Sequence, residues 1–197
     1  MIEVSVPSSY DKISLQTFVD FHTAKTDIKR MMIITGKTKE QCEQMQFNTI
    51  DTIISLFYDA LEKGTPRHQN TFVSNGIKLG FIPDLNSLTF REYVDLDALT
   101  KSVWKGDEIN YTELPRLMSI LFRPVIAQVG DKYTIQPYKA SEMDTYIMSI
   151  RHISMDRING ALVFFSTIAN ELYNNIQVSL LAQMKMKMMD IYQLQVE

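Results

Sequence analysis

From Ser154 or Asp156 to about Tyr192 the chain runs without a proline and with one glycine, Gly160. Leu162, Phe165, Ala169, Leu172 and Ile176 recur at alternating spacings of three and four, and Leu180, Met184 and Met188 follow at four. That period stacks apolar side chains on one face of an α-helix. At 1.5 Å per residue a straight helix of this length measures roughly 50 Å. A compact chain of this size is only about 25–30 Å across. The helix must therefore break, or project its end onto something else. The stretch closes on Met184-Lys185-Met186-Lys187-Met188-Met189. Methionine is flexible and polarisable and suits a surface that must adapt to a partner. Two readings compete for this end: a core helix that frays, and a partner contact made by Met184, Met186, Met188 and Met189. The apolar stripe before it favours helix–helix association within or between subunits.

The remaining chain is punctuated more closely. Ile2 to Val6 alternates apolar and polar side chains, which predicts a short strand ended by Pro7. Ser14 opens a helical pattern that keeps apolar groups on one broad face as far as Gly36. Thr38 is placed to cap a short helix over residues 39–45, and Asn48 to cap another that carries Ile50, Ile53, Ile54, Phe57, Tyr58 and Leu61 and stops at Lys63-Gly64. Asn75-Gly76, set between Thr71–Ser74 and Ile77–Ile82, is a hairpin signal, because that dipeptide tolerates the positive φ angles of a tight turn. Leu88 to Lys101 is helical, with Thr89 and Glu92 in capping-box register. Tyr111 to Phe122 carries a further apolar stripe. Pro115 is tolerated there near the first turn, and Pro124 is expected to end the helix. Val125–Val129, Gly130-Asp131 and Tyr133–Gln136 predict a second hairpin, and residues 141–150 another helix. Residues 13–21 also echo residues 88–96 at an offset of 75, keeping residue type at seven of nine positions. Capped amphipathic helices resemble one another, and the flanking segments do not repeat, so no duplication follows.

Composition narrows the class of molecule. Twenty Lys and Arg stand against 23 Asp and Glu, for a formal net charge of −3. A weakly acidic chain without a basic block has no electrostatic footprint for specific nucleic-acid binding. No apolar run approaches the ~20 residues of a membrane span. Met1 to Pro7 lacks the basic and apolar regions of a signal peptide. Cys42 is the one cysteine, which removes any intramolecular disulfide framework and any cysteine-based zinc site. These features predict a soluble protein of a reducing compartment, with no membrane association and no cofactor.

Candidate sites fare poorly. Thr35-Gly36-Lys37-Thr38 looks like the tail of a phosphate-binding loop, but Met31 stands where the pattern needs its first glycine, and the segment before it is helical. A helix-stop turn is the better reading. His22, His68 and His152 are scattered, with no ligand-spaced neighbour, so a metal site would need tertiary assembly. Asp95, Asp97, Asp107 and Glu108 offer carboxylates with nothing to set the separation acid–base chemistry requires. No serine occupies a Gly-x-Ser-x-Gly elbow, and the surroundings of Cys42 give no ground for a lowered thiol pKa. Trp104, the single tryptophan, reads as a core anchor in preference to an interface anchor. No catalytic residue is assigned, and the chain is read as non-enzymatic.

Leu117-Met118-Ser119-Ile120-Leu121-Phe122-Arg123-Pro124-Val125, followed by Tyr133-Thr134-Ile135-Gln136-Pro137-Tyr138, resembles a family of uncharacterised structural or assembly proteins of tailed bacteriophages, including crAss-like phages. Ser14-Leu15 with Phe18-Val19-Asp20, Ile34-Thr35-Gly36, Asp84-Leu85, Leu88-Thr89, Tyr93-Val94-Asp95-Leu96, Ala161–Phe165 and Glu171-Leu172 fit the same order. The resemblance implies a virion structural or assembly role. The protein would be located in the virion, and in the host cytoplasm during assembly. It carries over no enzymatic site.

The element order predicts an α+β fold, predominantly α-helical, with a helical core, two short β-hairpins as one small sheet or two projecting arms, and a long C-terminal helix. The expected organisation is one compact helical domain over 1–197, with possible lobes at 1–66 and 67–197. Together with the resemblance, this predicts an oligomeric ring or connector component of the portal–neck–tail region. Its partners would be other virion proteins (portal, neck or tail components) and further copies of itself. The alternative is a tail or capsid assembly chaperone that binds a virion component transiently.

Overall fold

The structure, a computed structural model, describes residues 4–84, 87–105 and 108–166. It divides into two units, residues 1–161 and 162–197. The first is α+β and holds all the named elements, on both sides of residues 66 and 67. Of the second, residues 162–166 are described, and they are helical.

Four helices open the first unit. Ser14 caps α1 (Leu15–Thr23), its side chain accepting from the Thr17 amide. Instead of continuing to Gly36, the chain breaks at Ala24 and restarts as α2 (Asp27–Thr35) under a Thr26 cap. The Thr23 hydroxyl donates back to the Val19 carbonyl, and Ala24 is extended. Such side-chain bonding competes with helix continuation. Gly36, at φ 66°, ends α2 as expected. Thr38 and Gln41 close a full capping box on α3 (Lys39–Glu43). The long helix α4 (Phe47–Glu62) starts one residue before Asn48, which is therefore not its cap. Residues 4–6 are not a strand.

The sheet follows. β1 (Thr71–Ser74) and β2 (Ile77–Phe81) pair in antiparallel register through a turn at Asn75 and Gly76, with φ of 46° and 77°. Two successive positive values are what a type I′ hairpin turn requires. Thr89 and Glu92 form a complete capping box on α5 (Phe90–Val103). A two-residue hairpin not expected from sequence, β3 (Trp104–Lys105) with β4 (Glu108–Ile109), lies at the surface. Trp104 is 42% exposed, which corrects its reading as a core anchor. α6 (Leu114–Leu121) has Pro115 in its first turn and is buried at every position except Arg116. It is the centre of the core. Strand β5 (Phe122–Val129) begins directly after it, so Pro124 lies inside a strand and does not end the helix. The residue before a proline avoids helical backbone, and Arg123 is already paired with Gly80.

β5 joins the two hairpins into one sheet of order β1-β2-β5-β6, with β6 at Lys132–Ile135. Tyr133 donates its hydroxyl to the Phe81 carbonyl at 2.7 Å, tying β6 across to β2. Phe72, Phe81 and Phe122 pack edge to face beneath the sheet. α7 (Met143–Arg151) packs on α6, and Tyr146 donates to the Ser119 carbonyl at 3.0 Å. The chain then returns to its beginning. Leu15 donates its amide to Ile153, and Met155 to Ile13, both at 2.8 Å. Residues 155–161 are helical. Gly160 faces the backbone of Arg67 and His68 so closely that a Cβ would collide with it. The remainder of the expected helix, residues 167–192, lies outside the described residues.

Candidate functional site

Side chains from α5, from the Arg123-Pro124 segment of β5 and from the chain beyond β6 meet in one cluster. Glu92 spends one carboxylate oxygen on its own helix, accepting from the amide and hydroxyl of Thr89 at 2.7 Å. Its other oxygen takes Nη2 of Arg123 at 2.6 Å, and both side chains are 6% exposed. The Arg123 guanidinium lies 6.0 Å from the ring centre of Tyr138. Tyr138 donates its hydroxyl to Asp95 at 2.8 Å, on the oxygen that also accepts from Nε of Arg91. Burial, and then the bond to Asp95, push the Tyr138 phenol well above its ordinary range. Thr89, Glu92 and Asp95 come from α5, Arg123 from the Arg-Pro segment and Tyr138 from beyond β6. Each carboxylate here has a partner, and the cluster clasps α5 to the sheet.

The other sequence candidates are dispersed. The turn at Thr35–Thr38 joins two helices, with no strand to aim a phosphate loop. His22 is half-buried and stacked on Tyr111, its basicity lowered by burial and by Arg30. His68 hydrogen-bonds Asn70, and His152 the Met148 carbonyl. Cys42 is buried. Asp97 pairs with Lys101 at 2.7 Å. Asp107 lies outside the described residues, as do Met184, Met186, Met188 and Met189. Among the described residues no three His, Cys, Asp or Glu side chains are gathered to hold a metal ion.

What the surface offers instead is uncovered apolar side chains on several elements, with Phe47, Leu56 and Tyr58 on α4, Val73 on β1, Trp104 and Ile109 on the β3–β4 hairpin and Met148 on α7 among them, and two further places bear on assembly. The first is α5. Its buried positions, Glu92, Leu96 and Val103, share one face, while Phe90, Tyr93 and Val94 are exposed on the opposite one. Phe90 is 82% exposed. The echoed segment of α1 makes the contrast plain: Leu15 and Val19, at the positions matching Phe90 and Val94, are buried. The two helices share a capping pattern but not a packing. The second place is the outer end of the β5–β6 hairpin. β5 pairs with β2 through Phe122–Pro124, whereas residues 125–129 pair with β6 among the described residues. This two-stranded ribbon exposes Ile126 and Val129. Alternation in the sequence places these residues on a strand, but whether a third strand covers them is decided by pairing that the sequence does not reveal.

A groove lies elsewhere, between residues 6–11, the C-terminal half of α4 and the turn at 63–67, with a volume of about 670 Å³. Asp156 lines it. Sequence reasoning missed this groove because its walls come from three stretches far apart in the chain, residues 6–11, residues 56–67 and Asp156.

Comparison with protein-family models, with curated proteins and with solved structures finds no match to this chain.

Proposed function

We propose that this protein is a non-enzymatic structural subunit of a tailed-bacteriophage particle, an oligomeric ring or connector component of the portal–neck–tail region that works through protein–protein contacts. The observation that carries the reading is that apolar side chains stand uncovered on different elements, among them Phe90, Tyr93 and Val94 on α5 and Ile126 and Val129 on the β5–β6 ribbon. Subunits of a closed ring meet head to tail, so each must present two unlike patches. Exposed aromatic side chains are the residues from which interface hot spots are built. The resemblance of the Leu121–Val125 and Tyr133–Tyr138 segments to phage structural proteins supplies the setting, virion and host cytoplasm during assembly. Among the described residues no helix is long and apolar enough to cross a membrane, which agrees with that setting.

A transient assembly chaperone is the second reading, favoured by the open groove beside α4. Mass spectrometry of purified particles separates the two. A ring component is present at a fixed copy number per particle; a chaperone is absent from it. Absence from both the particle and its assembly intermediates overturns both readings.

A further inference from the structure

The groove beside α4 carries a feature that no contact within the described residues explains. Asp156 is 7% exposed, and its Oδ1 is buried without a hydrogen-bond partner among those residues. The Asp156 main-chain carbonyl is used, accepting from the Arg67 amide at 2.8 Å. Its carboxylate faces Tyr10, whose phenol is raised by burial and by this charge. Buried acceptors are rarely left unpaired, and a buried carboxylate less often still. Around it the walls are largely aliphatic, with Val6, Pro7, Leu56, Ala60 and Pro66. Leu56 is exposed along the rim. The other charged groups lining the groove are Asp11, Asp59, Lys63 and Arg67. Asp59 and Lys63 neutralise one another at 3.0 Å, and Asp11 lies in the field of Lys12 and Arg157, so Asp156 is the carboxylate left with an oxygen unpartnered among the described residues. The volume lies within the ~300–1,000 Å³ range of ligand clefts. Such a groove accepts an aliphatic chain that ends in a cation.

This sequence contains such a chain in its own last 31 residues, outside the described region: Met184-Lys185-Met186-Lys187-Met188-Met189. We propose that the groove is the receptor for this segment of a second copy, with methionines along Leu56, Ala60 and Pro7 and the ammonium of Lys185 or Lys187 directed to Asp156. The inference rests on the structural-subunit reading and names one further contact between copies, besides the α5 and β5–β6 surfaces. Methionine conforms to an irregular wall, and the lysine stem lies along apolar surface while its head reaches the acid.

The test mixes unlabelled and isotope-labelled full-length protein in equal amounts and treats the mixture with a zero-length carboxyl-to-amine cross-linker. The expected products are heavy–light links from Lys185 or Lys187 to Asp11 or Asp59 at the groove mouth. Leu56→Arg, at an exposed position, abolishes these links without unfolding the chain, and Asp156→Asn lowers their yield several-fold. Links confined to chains of the same isotope, links to carboxylates elsewhere, an unchanged yield in Leu56→Arg, or no links at all overturn the inference. Particle mass spectrometry is independent of this result. Protein present at fixed copy number while the links map elsewhere retires the groove and keeps the structural reading.

Discussion

The Glu92 carboxylate and the Arg123 guanidinium stand 2.6 Å apart, each almost wholly out of solvent. One belongs to the capping box of α5 and the other to a strand that begins where α6 ends. Two charges withdrawn from water cost several kcal/mol each, and they are tolerated only when their geometry and remaining hydrogen bonds are good. Thr89 supplies hydrogen bonds to Glu92, and the ring of Tyr138 lies 6.0 Å from the Arg123 guanidinium. Nε of Arg123 has no hydrogen-bond partner among the described residues, so the pair leans heavily on the single contact to Glu92. Removing one partner by Glu92→Gln should destabilise the first unit by about 3–5 kcal/mol, because it strands a buried charge. Glu92→Leu combined with Arg123→Met should recover much of that loss. Denaturant midpoints of the single and double variants measure both.

Gly160 gives a prediction whose sign helix propensity alone gets wrong. Alanine in a helix interior is favoured over glycine by about 1 kcal/mol. Here the added methyl group meets the main chain of Arg67 and His68, which cannot move aside as a side chain would. Gly160→Ala should lower stability by about 1–3 kcal/mol, the usual cost of overpacking. A thermal melt that rises would show that the 67–68 strand of backbone can yield.

Tyr146 links stability to alkaline pH. Burial, the largest influence, with a smaller contribution from Glu142 and against the pull of Arg123, pushes its phenol up to about 12. The unfolded chain ionises near 10. The folded state therefore holds the proton more tightly. The stability it contributes is present in full below pH 10 and is lost as pH rises through about 12. Tyr146→Phe should flatten that loss in a series of denaturant titrations at rising pH, while forfeiting the bond to Ser119.

The α5 surface should matter to assembly and not to folding. Phe90→Ser with Tyr93→Ser changes stability by no more than about 0.5 kcal/mol, as expected of exposed positions. The same variant should fail to enter particles in a complementation assay. Incorporation at the normal copy number would remove α5 from the interface.

Deleting residues 184–197 should leave a cooperatively folded protein that no longer associates with its partner. Circular dichroism and thermal melting test the first half, and co-purification the second. Loss of the cooperative transition would assign that end to the core.

Local chemistry was readable because it is local. Ser14, Thr38 and Thr89 cap helices with atoms three residues away, and Asn75-Gly76 turns a hairpin through its own backbone angles. The sequence by itself determined these caps and turns and the α+β class, while the break between α1 and α2 and the β3–β4 hairpin were not legible in it. Tertiary structure decided which apolar faces are covered. Leu15 and Phe90 occupy matching positions in nearly the same pattern, yet one is core and the other solvent. Periodicity records that a face is apolar, and burial depends on what another part of the chain brings against it. The pairing of Glu92 with Arg123, the joining of both hairpins through β5, the surface placement of Trp104 and the groove over Asp156 were settled by that long-range packing, which no local pattern encodes.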